Sequence, residues 1–153
     1  MRLWNFFSDH YYAGLHGFYL NNLNMSRLID NQEIADRIYL IRGVKVMLDR
    51  DLAAMYNVKP IKLREQVKRN IERFPNHFMF QLSNEEADAM VSQNAIPSRQ
   101  HLGGSLPYVF SEHGILMLAN VIKSQQAIAM SIKIIEVFVK FRADFPKRPA
   151  FKI

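Results

Sequence analysis

A chain of 153 residues with 20 Lys+Arg, 14 Asp+Glu and no cysteine holds about one domain around one modest core, which excludes a large multidomain enzyme. Its globular balance of apolar and charged residues excludes disordered, collagen-like and low-complexity classes, and without cysteine there are no disulfides, thiolate zinc sites or cysteine nucleophiles. The net charge of +6 gathers in two blocks of +5, residues 42–73 and 121–153, around a block of −3 at 83–120, a distribution that points toward a polyanionic partner such as nucleic acid.

Residues 1–24 are rich in aromatics, among them Trp4, Phe6, Phe7, Tyr11, Tyr12, Phe18 and Tyr19, but Asp9, His10 and His16 interrupt them. No apolar run approaches the roughly 20 residues of a membrane span, and no signal-peptide pattern is present, so a cytoplasmic protein is expected. Met25 opens a segment that looks like a bacterial start, and the expected organisation is an extension over 1–24, a domain over 25–142 and a basic tail over 143–153.

The run from Ile38 to Leu48 (IYLIRGVKVML), rich in β-branched residues and broken at Arg42-Gly43, reads as a hairpin. Asp49 is a candidate cap for a short helix through Tyr56, followed by Asn57 as a left-handed turn residue and Val58 as a buried one. Pro60 opens a second helix from about Ile61 to Arg73, which together with the first has helix-turn-helix spacing. Phe74-Pro75 ends it, His77 to Leu82 reads as a strand, and Ser83 with Glu86 forms a capping box for a helix to about Gln93. Residues 94–107 form either a mobile loop or a DNA-contacting wing. Tyr108 to Phe110 reads as the last strand, then a helix from Ser111 to Lys123 leads through a break near Ser124 into a helix ending close to Phe141. That last helix is apolar nearly all round, a pattern of burial on more than one side, and a homodimer through residues 127–141 is expected from it. The fold class is α+β: a small β-hairpin or sheet with a helix-turn-helix and two C-terminal helices.

On a helical wheel the second helix places Leu63, Val67, Ile71 and Phe74 in one inward sector. Lys62, Gln66, Arg69 and Arg73 fall together on the exposed side, a basic stripe containing one amide. Such a helix lies in the DNA major groove with base-reading residues near its N-terminus. Lys62 and Gln66 are the candidate readers, Gln66 and Arg69 having the donor geometry to discriminate bases. Arg64, Lys68 and Arg73 are candidate phosphate contacts, with Arg42 and Lys45 of the hairpin in support. The competing reading is a solvated amphipathic helix with local ion pairs such as Glu65–Arg69 and Lys68–Glu72. Catalytic, cofactor and metal constellations are not expected: the histidines are scattered, Glu112-His113 lacks a second histidine at zinc-helix spacing, and Asp49 and Asp51 are explained by a helix N-terminus.

The order of segments resembles a known family. The stretches IRGVKVMLDRDLAAMYNV (41–58), VKRNIERFPNHFMFQL (67–82), GGSLPYVFSEHGILMLANVIKS (103–124) and AIAMSIKIIEVFVKFR (127–142) resemble the KilA-N-type DNA-binding family, specifically the ORF-six N-terminal domain of phage and bacterial proteins. The resemblance implies a small α+β domain that binds double-stranded DNA in phage- or mobile-element-type transcriptional regulation. It matches Arg69, Asn70, Arg73, Phe74 and Pro75 to the family's basic-and-turn motif, with Asn70 assigned to backbone bonding and Phe74, Phe78 and Phe80 to the core. It matches Arg42 and Gly43 to the hairpin. Lys59-Pro60 departs from the family's small hydroxyl residue before the second helix, and Ser131 and Glu136 depart in the last helix. A rival reading is a protein-interaction module, such as an antirepressor that binds a repressor protein through the apolar last helix.

Overall fold

In the computed structural model, residues 29–140 are described; the extension over 1–24, the tail over 143–153 and the expected helix end at Phe141 lie outside them. After a short helix α1 (Asn31–Ala35), strands β1 (Tyr39–Ile41) and β2 (Val44–Leu48) form the hairpin. Arg42 (φ 54°) and Gly43 (φ 73°) both sit in the left-handed region, the backbone that matches a two-residue turn to the twist of its strands. Helices α2 (Asp49–Met55) and α3 (Pro60–Arg69) follow, with Asn57 left-handed (φ 56°) between them. A 3-10 turn (Ile71–Arg73), β3 (Met79–Gln81), α4 (Asn84–Ser92), a second 3-10 turn (Arg99–Leu102), β4 (Tyr108–Ser111), α5 (Glu112–Ile122) and α6 (Gln125–Lys140) complete the order. The fold is α+β, with one four-stranded antiparallel sheet in the order β1-β2-β4-β3 and α5 packed on α6.

Strand alternation gives this sheet two covered faces. Val46 and Leu48 of β2 and Val109 of β4 join Leu82, Ala87, Met90, Ile96 and Leu102 in one buried cluster beneath α4. Met47 and Phe110, one residue out of step, point the other way, and Phe110 meets Phe74 edge-on at 5.9 Å. Ile96 and Leu102 anchor the 94–107 segment in the first cluster, which gives that segment a buried spine and a turn of 3-10 helix.

Three expectations change. The second helix stops at Arg69: the Asn70 side-chain amide donates to the Gln66 carbonyl at 2.9 Å and the backbone leaves the α region (φ −122°, ψ 32°). The wheel therefore fails beyond Asn70, and Ile71, expected inside, is 55% exposed. Asp49 makes no cap hydrogen bond and lies fully buried as the first helical residue of α2. Phe74 is buried as expected, but Phe78 and Phe80 are only half-buried, Phe78 stacked on His113 and Phe80 beneath the Arg42 guanidinium. The α4 capping box is formed. The break before α6 falls at Lys123, a left-handed cap (φ 56°), after which the Ser124 hydroxyl accepts from the Ala127 amide.

The last helix buries a single strip, Ala127, Met130, Ser131, Ile134, Val137 and Phe138. Within it the Ser131 and Tyr56 hydroxyls hydrogen-bond at 2.6 Å, pinning α6 to the end of α2, and burial pushes the Tyr56 phenol up to about 12. The start of α5 is equally constrained. Ser111 Oγ accepts from the Gly114 amide and donates to the His77 carbonyl, and a β-carbon on Gly114 would stand 2.0 Å from the Phe78 carbonyl oxygen. Backbone cannot yield as a flexible side chain does, so Gly114→Ala is expected to destabilise the fold by about 3 kcal/mol, read as a lower urea midpoint.

Candidate nucleic-acid interface

The helix expected to carry function is fixed on one side and open on the other. Lys59 caps α3 without a side-chain bond and Pro60 takes the first helical position, where its missing N–H costs nothing. Leu63 and Val67 are buried against neighbours that include α2 and α5. Opposite them Lys62 and Arg69 are exposed and Gln66 is half-buried, with Lys68 exposed beside them. Lys62 forms a long ion pair with Glu65 at 3.5 Å between two well-exposed side chains. Among the described residues no ion pair or side-chain hydrogen bond engages Lys68, Arg69 or Arg73. The ten residues of α3 span about 15 Å, enough to present this stripe along a groove. Arg73 is exposed on the 3-10 turn, so it extends the basic surface past the end of α3 instead of continuing its stripe. Lys45 is half-buried on β2.

The other two expected contacts, Arg64 and Arg42, are engaged by carboxylates of the fold, although the Arg42 side chain remains 49% exposed. Arg64 Nε donates to Asp49 Oδ2 at 2.7 Å, and its terminal nitrogen donates to Ser105 Oγ. Asp49 is 0% exposed and also accepts from the Tyr108 amide at 3.2 Å, while its Oδ1 has no hydrogen-bond partner among the described residues. Arg64 thus locks α3 to α2, to β4 and to the 103–106 segment, placing that segment beside α3. Arg42 makes a two-pronged bond to Glu86 (3.0 and 2.6 Å), reaches the Gln81 carbonyl at 3.3 Å, and lies 4.4 Å over the Phe80 ring. Nearby, Arg37 pairs with the buried Asp51 at 2.8 Å.

Sequence reasoning missed Asp49, Asp51, Glu86 and Ser105 as anchors. The two aspartates carry an ordinary helix-start signal, and Glu86 an ordinary capping-box signal, while their arginine partners lie 14 to 44 residues away.

Against this geometry, the model of the ORF6N domain matches residues 36–121, more than half of the chain. The chain belongs to the ORF6N domain family. The match covers the hairpin, both helices of the helix-turn-helix, the sheet and nearly all of α5. Comparison with curated proteins finds no match, and neither does comparison with solved structures. Among the described residues of this ORF6N chain no helix is long and apolar enough to cross a membrane, and no group of acidic and histidine side chains could hold a metal ion.

Two measurements separate anchoring arginines from exposed ones. Arg64→Ala leaves the Asp49 carboxylate buried and unpaired, an expected loss of about 3–5 kcal/mol of stability, whereas Arg69→Ala should fall within about 0.5 kcal/mol of wild type; urea unfolding reads both. The acid limb tests Arg42. Hydrogen bonding from Arg42, with the Ser83 amide, holds the Glu86 carboxyl below its ordinary 4.5. Its contribution is therefore fully present above that value and is lost as pH falls through the lower folded one. Burial raises the Asp51 carboxyl despite Arg37, so its contribution runs oppositely, a cost relieved on acidification. Arg42→Gln should accordingly make the loss of stability between about pH 5 and 3 shallower than in wild type.

Proposed function

We propose that this ORF6N domain binds double-stranded DNA, with α3 in the major groove, as part of phage- or mobile-element-type transcriptional regulation. The observation that carries the reading is the division of labour along α3: its inward residues and Arg64 are consumed in anchoring, while Lys62, Gln66, Lys68 and Arg69 are left facing out. Lys62 and Gln66, in the N-terminal and middle turns, are the base readers, since recognition helices contact base edges from that end. Gln66 has the paired donor and acceptor that match adenine, and Arg69 the fork that matches guanine. Lys68 and Arg73 neutralise phosphates. Arg42 and Arg64 act as positioning residues, and Lys45 supports from β2.

The solvated-helix alternative accounts for the Lys62–Glu65 pair and for Lys68 and Arg69 as favourable charges in the last turn of α3. It leaves the absence of local partners for Lys68, Arg69 and Arg73 without a purpose. Membership in the ORF6N family, with its resemblance to KilA-N-type DNA-binding domains, favours the DNA reading.

Fluorescence anisotropy of the full chain on random duplex DNA across a salt series tests it. Each phosphate contact contributes about −0.9 to the slope of log affinity against log salt. Arg69→Ala and Arg73→Ala should each flatten the slope by about that amount, while Arg42→Gln should leave it unchanged. Absence of binding at low salt from a folded protein overturns the reading in favour of a protein-interaction module such as an antirepressor.

A further inference from the structure

Four apolar side chains of α6 lie apart from its buried strip. Ile128 (45% exposed), Ile132 (36%) and Val139 (54%) are open to solvent, and the half-buried Ile135 stands between them. Their spacing of four, three and four residues places them on one strip of the helix, with the spacing of a coiled-coil seam. The spacing is also the same read from either end. An antiparallel second copy of the chain therefore meets the seam apolar against apolar without a shift of register, Ile132 against Ile135 and Ile128 against Val139.

Charge favours the same arrangement. The strip on the far side of Ile132 from the core carries Lys133, Glu136 and Lys140. In the antiparallel pairing Glu136 lies two residues, about 3 Å along the axis, from the level of Lys133 in the other copy, and symmetry repeats the match. In a parallel pairing the two charged strips would lie on opposite sides of the seam, and Glu136 would not meet Lys133 of the other copy.

We propose that α6 is a homodimer interface, two copies of the chain packing antiparallel through Ile128, Ile132, Ile135 and Val139 about a two-fold axis between Ile132 and Ile135. The proposal goes beyond DNA binding and does not depend on it. If both hold, the two α3 helices are related by the same axis and the target contains two half-sites.

Light scattering and sedimentation equilibrium of the full chain at tens of micromolar, without DNA, test it. The expected mass is twice that of the chain. Ile132→Lys should give a monomer with unchanged circular dichroism and a thermal midpoint that no longer depends on protein concentration, while Ile61→Lys, at a 63% exposed isoleucine of α3, stays dimeric. Glu136→Lys should weaken the dimer about tenfold through two symmetry-related contacts, and adding Lys133→Glu should restore it. A monomeric wild type, a dimeric Ile132→Lys, or a double variant no tighter than Glu136→Lys overturns the proposal.

Discussion

The arrangement of this domain depends on a buried carboxylate. Asp49 has no exposed surface, yet it begins a helix, faces the backbone of β4 through Tyr108 and receives the guanidinium of Arg64. Removing a charge from water costs several kcal/mol, offset only where geometry is good and hydrogen bonds are nearly complete. Asp49 is near that limit: Oδ2 takes two donors and Oδ1 none among the described residues. The outcome is a contact that tolerates little displacement. Because Arg64 lies on α3 and also holds Ser105, this intolerance fixes α3 relative to the sheet and the 103–106 segment together. An apolar pair at the same place would hold the helices with less directional demand.

A second such link closes the hairpin onto the opposite layer. Arg42 occupies a left-handed turn position that a two-residue hairpin imposes, and this conformation accompanies a side chain laid over Phe80 and paired with Glu86. Glu86 already closes the capping box of α4 through the Ser83 amide. One carboxylate therefore caps the start of a helix and secures a hairpin, and the guanidinium covers Phe80, a half-buried ring packed against the core cluster. The arginines most prominent in the central basic block thus divide by what surrounds them: those beside buried carboxylates hold the fold, and those beyond reach of one face solvent.

Much of this was legible in the sequence, and the boundary has a physical cause. Local signals were read correctly: the Arg42-Gly43 turn, Asn57, Pro60, the Ser83–Glu86 capping box and the break before the last helix are all decided within a few residues. The inward placement of Leu63 and Val67 follows from periodicity. Errors arose where periodicity was carried past a local terminator, as with Ile71 beyond Asn70, or where a local explanation sufficed and a distant one prevailed, as with Asp49 and Asp51. A helix-start aspartate and a buried ion-pair aspartate have the same sequence context. Only the meeting of α2 with α3 and with the turn after α1 that carries Arg37 separates them. The exposure of Arg69 was readable from the wheel; the engagement of Arg64, one position from the buried Leu63, was not.

The distribution of charge over the layers gives these placements a common sense. The acidic segment of the chain contributes α4, which covers the sheet face formed by Val46, Leu48 and Val109. The helix-turn-helix belongs with the other face, where Phe74, just past α3, packs on Phe110. The sheet therefore separates the most acidic element from the most basic one. Glu86 is neutralised by Arg42 and Asp88 by Arg99 at 2.6 Å, which further reduces the negative field reaching α3. If the proposed DNA reading holds, this uneven charge distribution would steer a polyanion toward α3 and raise the rate of productive encounter. Anchoring of α3 by the Arg64–Asp49 pair and lowering of the negative field by the Arg42–Glu86 and Arg99–Asp88 pairs are thus two consequences of where the carboxylates lie.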